Sequence, residues 1–168
     1  MSLEEFFRSV RAAPFSGSVH RICLARYANN TVSMRGSLLH AGRYNIEGYF
    51  GALYTSIEAE TARLEIGRYF TVPPKEKMAE SRIELTVTRM VDLTNAINRK
   101  KAGIRMEQLT SGDHAFAQGI GLEAWRNGVE ALLVPSAAMP AKNNLVVLLD
   151  NQTPGWSVRL AATTLEAW

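Results

Sequence analysis

The chain has a single cysteine, Cys23, among its 168 residues. One thiol excludes an intramolecular disulfide framework and a multi-cysteine zinc site. Long apolar runs are missing too. The longest, Leu145–Leu149, has five residues, far short of a membrane span. The N-terminus turns acidic at Glu4 and Glu5 and has no basic-then-apolar leader pattern. These absences predict a soluble protein of a reducing, cytoplasmic setting. Repeats and low-complexity tracts are absent. Hydrophobic residues make up 46% and charged residues 21%, a globular mixture in one domain spanning 1–168.

Standard chemical motifs fail in turn. The chain has no Walker A sequence, GxGxxG, HExxH or GxSxG. His20, His40 and His114 lack metal-ligand spacing, so no metal is expected. The net charge is +3, with one dense basic block at Arg99-Lys100-Lys101. Without a zinc-finger, helix-turn-helix or aromatic–basic ladder, that charge does not point to nucleic acid. Scattered arginines equally suit a phosphate-bearing small molecule.

Ser2 and Glu5 form a capping-box pair, predicting a helix to about Ala13, with a turn at Ser16-Gly17. Strands are expected at Val19–Arg26, Ala52–Thr55, Arg82–Leu93, Ala131–Val134 and Leu145–Asp150, the last buried on both faces. A second capping box, Thr55 to Glu58, predicts a helix through Glu65. Its inward stripe would be Ile57, Thr61 and Leu64, with Glu65 on the border. Glu65 then either points into a cleft or lies in solvent. Asp113 predicts a helix from His114 to Asn127, stopped by Gly128. A final edge strand through Trp156, Val158 and Leu160, followed by Leu165 and Trp168, suggests association with itself or a partner. Helices and strands intermix without a βαβ repeat, so the expected class is α+β with a mixed sheet.

One constellation remains: Arg43-Tyr44-Asn45 in a glycine-punctuated loop, Tyr54 on the next strand, and Glu65 near a helix end. Around it stand Gly42-Arg43-Tyr44-Asn45, Ala52–Ser56, Glu60–Glu65, Val91–Thr94, Leu133–Ala137 and Asn144–Val147. In order and spacing these segments resemble the RES domain family, named for an arginine, a glutamate and a serine. The likeness runs from about Val19 to Asp150. Arg43, Glu65 and Ser136 match the naming residues. The resemblance implies a fold similar to ADP-ribosyltransferase toxins, with a split mixed sheet and a cleft for NAD. It implies NAD as the substrate consumed, and a toxin neutralised by an Xre-like antitoxin protein. The acceptor of the ADP-ribose half is then water or phosphate. The alternatives are transfer to a protein target, or a catalytically inactive RES-like binding protein.

Chemistry assigns roles within that resemblance. A diphosphate suits an arginine fork, here Arg43, with Arg21 as second candidate. Tyr44 and Tyr54 are candidates to stack on the nicotinamide cation. Cleaving the nicotinamide–ribose bond builds positive charge on the ribose, which Glu65 would stabilise. Ser136 would orient the nicotinamide amide or a ribose hydroxyl. Asn45 and Asn144 either bind the ligand or serve turns and strand ends. The charged stretch Lys75–Arg82 reads as insertion-like and able to reshape the cleft mouth.

Overall fold

Ser2 and Glu5 cap the first helix reciprocally in the computed structural model, which describes residues 1–167. Trp168 lies outside the described residues. Helix α1 (Leu3–Ser9) buries Phe6 and Phe7. It is shorter than the spacing predicts, and Ser16-Gly17 does not turn the chain. Strand β1 instead runs from Ala13 to Leu24. A register shift between Ala13 and Phe15 accommodates Pro14, which has no N–H to donate. Ser16 then meets the Thr86 hydroxyl at 3.1 Å, and Ser18 donates to Glu84 at 2.7 Å. These cross-strand pairs hold the segment extended.

Strand β3 (Met78–Asp92) lies against β1 in antiparallel register from Ala13–Met90 to Leu24–Met78. On its other side, β6 (Ser157–Glu166) runs antiparallel along its first half. Beyond β6, residues Met90–Asp92 pair in parallel with Ala131–Leu133 of β4 (Ala131–Pro135). β4 pairs with β5 (Asn143–Val147), and β5 with β2 (Leu53–Ser56), both antiparallel. A single bridge, His20–Ser56, returns β2 to β1. The sheet is therefore mixed and closes on itself, as two three-stranded halves joined by short contacts. The α+β class holds.

Period-two alternation sorts the core. Leu145 and Val147 join Val19, Leu53, Ile83, Leu85 and Val87 in one cluster. Val146 and Leu148 face the other cluster, with Phe6, Leu109, Ile120 and Ala124. β5 is thus buried on both faces, as expected. The second cluster is covered by α1, α4 (Ala96–Ala102), α5 (Met106–Thr110) and α6 (Ala115–Arg126). The short α4 and α5 fall outside the sequence expectation, as does α2 (Arg35–Leu39). Each has fewer than two full apolar turns, too little for a periodic signal. Gly128 ends α6 with φ +68°, the left-handed conformation that glycine tolerates.

Two expectations require correction. Lys75–Arg82 is not an inserted loop: from Met78 onward it is β3, with Met78, Ala79 and Ser81 buried. Helix α3 (Ala59–Gly67) does not start from the Thr55–Glu58 box. Thr55 and Ser56 belong to β2, and their hydroxyls serve the sheet, Thr55 donating to the Leu145 carbonyl at 2.7 Å. The later start turns Thr61 and Ala62 inward and leaves Leu64 41% exposed. No helix among the described residues is long and apolar enough to cross a membrane.

Candidate active site

With Thr61 and Ala62 facing the sheet, Glu65 follows one turn later on the same side of α3. Its Oε1 accepts four donors: the Ser136 hydroxyl at 2.6 Å, Asn144 Nδ2 at 2.7 Å, and the Ala137 and Ala138 amides at 3.0 and 3.4 Å. Among the described residues its Oε2 pairs with Arg68 Nη1, at 3.7 Å. Burial alone would raise the Glu65 carboxyl. The bonds from Ser136, Asn144 and Ala138 and the Arg68 charge outweigh it, holding the group below its ordinary value. Glu65 is therefore an anion with one oxygen fully committed and the other facing the cleft.

Ser136 is wholly buried at the end of β4. Its proton goes to Glu65, and its oxygen accepts the Ala138 and Met139 amides at 3.2 and 3.0 Å. Through these bonds it holds the Glu65 carboxylate in place. Asn144 also positions Glu65, accepting the Ser56 hydroxyl at 2.7 Å through its own Oδ1. It lines the cleft as well.

The glycine-punctuated loop forms the facing wall. Asn45 is fully buried, donating to the Ser37 and His40 carbonyls and accepting the Tyr54 hydroxyl at 2.8 Å. Tyr54 in turn accepts the Tyr44 amide at 2.8 Å. Burial pushes the Tyr54 phenol above the ordinary tyrosine value, so it stays neutral. Tyr44 is 2% exposed and packs in the helical core. Tyr44 nevertheless lines the cavity beside Arg43, Tyr54 and Glu65, whereas Asn45 is engaged by the loop and by Tyr54. Two close approaches fix this wall. A Cβ on Gly42 would lie 2.5 Å from the Tyr54 hydroxyl, and one on Gly121 of α6 would lie 1.8 Å from the Tyr44 carbonyl oxygen.

Three adjoining cavities share Glu65 and Tyr69. The first is lined by His20, Arg21, Ser56 and Asn144 as well. Arg21 Nη1 is buried there without a hydrogen-bond partner among the described residues, and burial lowers the guanidinium from its ordinary value. An orphaned cationic donor is costly without an anion to meet it. The second lies between Arg43, Tyr54 and Ala137. The third is walled by Arg43, Arg68 and His114. Arg43 is tethered through Nη1 to the Ser111 carbonyl at 2.6 Å. Among the described residues no cluster of three His, Cys, Asp or Glu side chains is placed to hold a metal.

The RES domain model matches residues 18–167. The chain belongs to the RES domain family. The match continues through β6, beyond the Val19–Asp150 stretch that carries the resemblance in sequence. This RES domain is 27% identical over 115 residues to the NAD(+) phosphorylase MbcT of Mycobacterium bovis, and equally to that of two Mycobacterium tuberculosis strains. The alignment covers 64% of this chain and 62% of those relatives' length. The fold is shared with the M. tuberculosis MbcT–MbcA toxin–antitoxin complex. There the TM-score is 0.84 and the identity 21%, over 98% of this chain and 92% of the other.

In this RES domain, Arg43, Tyr54, Glu65, Arg21 and Asn144 converge on one cleft. Sequence reasoning missed Arg68, Tyr69 and His114. Arg68 and Tyr69 stand three and four residues after Glu65, the spacing that puts side chains on one helical face, and this was a usable signal. His114 carries no such mark; only the approach of α6 to the Arg43 loop brings it in.

Proposed function

We propose that this RES domain cleaves the nicotinamide–ribose bond of NAD, with water or phosphate as acceptor. The observation carrying this reading is the Glu65 anion, held by four donors where basic cavities meet. As the bond breaks, positive charge develops on the ribose. A fixed carboxylate in a partly enclosed cleft stabilises it without reorganising. Ser136 and Asn144 fix Glu65 Oε1, so Oε2 is the oxygen directed at the developing charge. Arg21 meets an anionic phosphate with its unpartnered Nη1. Tyr54 and the exposed Tyr69 supply ring surface to the flat nicotinamide.

The two-halved sheet around the cleft supports a likeness to ADP-ribosyltransferase toxins. Relatedness to MbcT supports a cytoplasmic toxin, spanning this one domain, whose partner is an Xre-like antitoxin. The outer edge of β6 leaves room for a second copy. Incubating the purified chain with NAD should release nicotinamide, and expression without an antitoxin should deplete cellular NAD and arrest growth. No nicotinamide release by soluble, folded protein would refute the reading. Label passing from NAD chiefly onto one protein band in a lysate would replace it with protein ADP-ribosylation.

A further inference from the structure

The hydrogen bonds around Glu65 continue one residue further, into β2. Ser56 stands directly opposite Asn144 in the β2–β5 register. Facing residues of an antiparallel pair put their side chains on one face of the sheet. The Ser56 hydroxyl donates to Asn144 Oδ1 at 2.7 Å, and Asn144 Nδ2 donates to Glu65 Oε1 at 2.7 Å. We propose that Ser56 is a positioning residue, acting through the Asn144 amide to hold Glu65 as a fixed anion for the reaction. The proposal rests on the NAD-cleaving reading above and adds a residue that reaches the carboxylate only through its neighbour.

Three observations carry it. The first is the direction of the bonds. An ionised carboxylate only accepts. Asn144 therefore turns its amide nitrogen to Glu65 and its oxygen to Ser56, and the Ser56 hydroxyl has to donate. The reversed amide would set Oδ1 against Glu65 Oε1, two acceptors at hydrogen-bond distance. The second is where Ser56 sends its proton. Thr55 precedes it on the other face of β2 and donates to the Leu145 carbonyl, and so to the sheet. Ser56 donates to a side chain that leads into the cleft. The third is burial. Ser56 is 3% exposed, so solvent competes little for its proton. A hydrogen bond in such surroundings is electrostatically stronger than in water.

The hydroxyl does two things for the carboxylate. It anchors the amide at its second end, which opposes rotation of Asn144 away from Glu65. It also polarises the amide, because a proton held at the oxygen strengthens the N–H as a donor. Both effects favour ionised Glu65, whose carboxyl the Asn144 bond helps to hold below its ordinary value. The other groups facing Glu65 are His20 and Arg21 on β1, Arg43 on the loop, Arg68 after α3, His114 before α6, and the phenols Tyr54 and Tyr69. Ser56 is uncharged, so its replacement leaves their charges in place. A change in the Glu65 titration then reports the hydrogen-bond chain.

Ser56→Ala and Thr55→Val remove neighbouring hydroxyls from opposite faces of one strand, and comparing them tests the chain. Carbon NMR of carboxyl-labelled glutamate follows the Glu65 titration in the full chain without substrate, with Glu65→Gln identifying the signal. Ser56→Ala should raise that titration and shift the acid limb of kcat upward with it. It should lower kcat about tenfold and leave the KM for NAD unchanged. Ser56→Thr keeps the hydroxyl and suits a strand, so it should restore both. Thr55→Val should melt at a lower temperature and change neither the titration nor kcat. A Glu65 titration unmoved in Ser56→Ala, or moved as far in Thr55→Val, would overturn the proposal. So would a parental kcat in Ser56→Ala, or a Ser56→Thr chain that behaves like the alanine variant. A raised Glu65 titration in Ser56→Ala, with no nicotinamide release even by the parent, would uphold the hydrogen-bond chain and strike at the NAD-cleaving reading alone.

Discussion

Glu65→Gln isolates the charge of the central carboxylate from its packing. Truncation to alanine would not, because it strips partners from the buried Ser136 hydroxyl, from Asn144 and from two amides. Glutamine keeps an oxygen for those donors and places an amide where Oε2 stood. Three of the four bonds are 3.0 Å or shorter. Replacing a charged acceptor by a neutral one weakens each by about 0.5–1 kcal/mol. Relief from burying a charge offsets part of that, leaving a net loss of about 1–2 kcal/mol, or about 3–6 °C in Tm. Loss of one charge-stabilising group should lower nicotinamide release about 10²–10³-fold. The stability difference should depend on pH. The native Glu65 pKa is lowered, so its stabilisation is complete above the unfolded-state value of about 4.3. It is lost as pH falls through the lower native value, where the two melting curves should converge. The assays are chromatographic nicotinamide release and thermal melts from neutral to acid pH. A folded Glu65→Gln protein releasing nicotinamide within tenfold of the parent would refute the argument.

Arg43→Lys should impair turnover at least about tenfold, because a lysine cannot reproduce a planar fork; equal kinetics would reduce Arg43 to a point charge. Tyr44→Phe should keep its activity and melt at the same or a higher temperature, since the Tyr44 hydroxyl is buried without a partner; a large rise in the KM for NAD would restore Tyr44 to the ligand surface. Glu130→Gln should cost about 2–4 kcal/mol in denaturant unfolding. Glu130 is fully buried and accepts the Thr88, Arg89 and Thr153 amides and the Thr153 hydroxyl. Burial opposes its ionisation, but these bonds prevail and hold its pKa low, so the destabilisation should fade in acid.

The positions of strands, though not their order in the sheet, are legible where apolar residues run or alternate strongly. β5 reads directly because its residues are apolar on both faces. The sequence pattern starts β3 at Arg82 rather than Met78, because Lys75, Glu76 and Lys77 resemble a break. In the fold, Glu80, Arg82 and Glu84 share one face while Ala79, Ser81 and Ile83 fill the other. The capping-box pattern starts α3 too early and so puts Glu65 at the edge of its stripe. The donors that fix Glu65 come from residues about seventy and eighty positions away in sequence. No local pattern encodes such a meeting. The approach of Gly121 to the Tyr44 carbonyl and the bonds that hold Asn45 to Ser37 and His40 are invisible in one dimension, yet they set how the loop carrying Arg43 sits over the sheet.

The single His20–Ser56 bridge bears on how a ligand as large as the proposed dinucleotide would enter. His20 and Ser56 both border the Arg21 cavity, so the barrel is weakest beside its own mouth. Parting one bridge costs only about 1–3 kcal/mol. Parting the halves on their other side would break the three parallel pairs from Met90–Ala131 to Asp92–Leu133. Local opening should therefore favour the cleft side, with the β3–β4 pairs serving as the hinge between the two halves. Amide hydrogen exchange should report this as fast exchange around Ser56 against strong protection along Val19–Ile83. A bulky substrate can then enter through a local opening, with both core clusters intact.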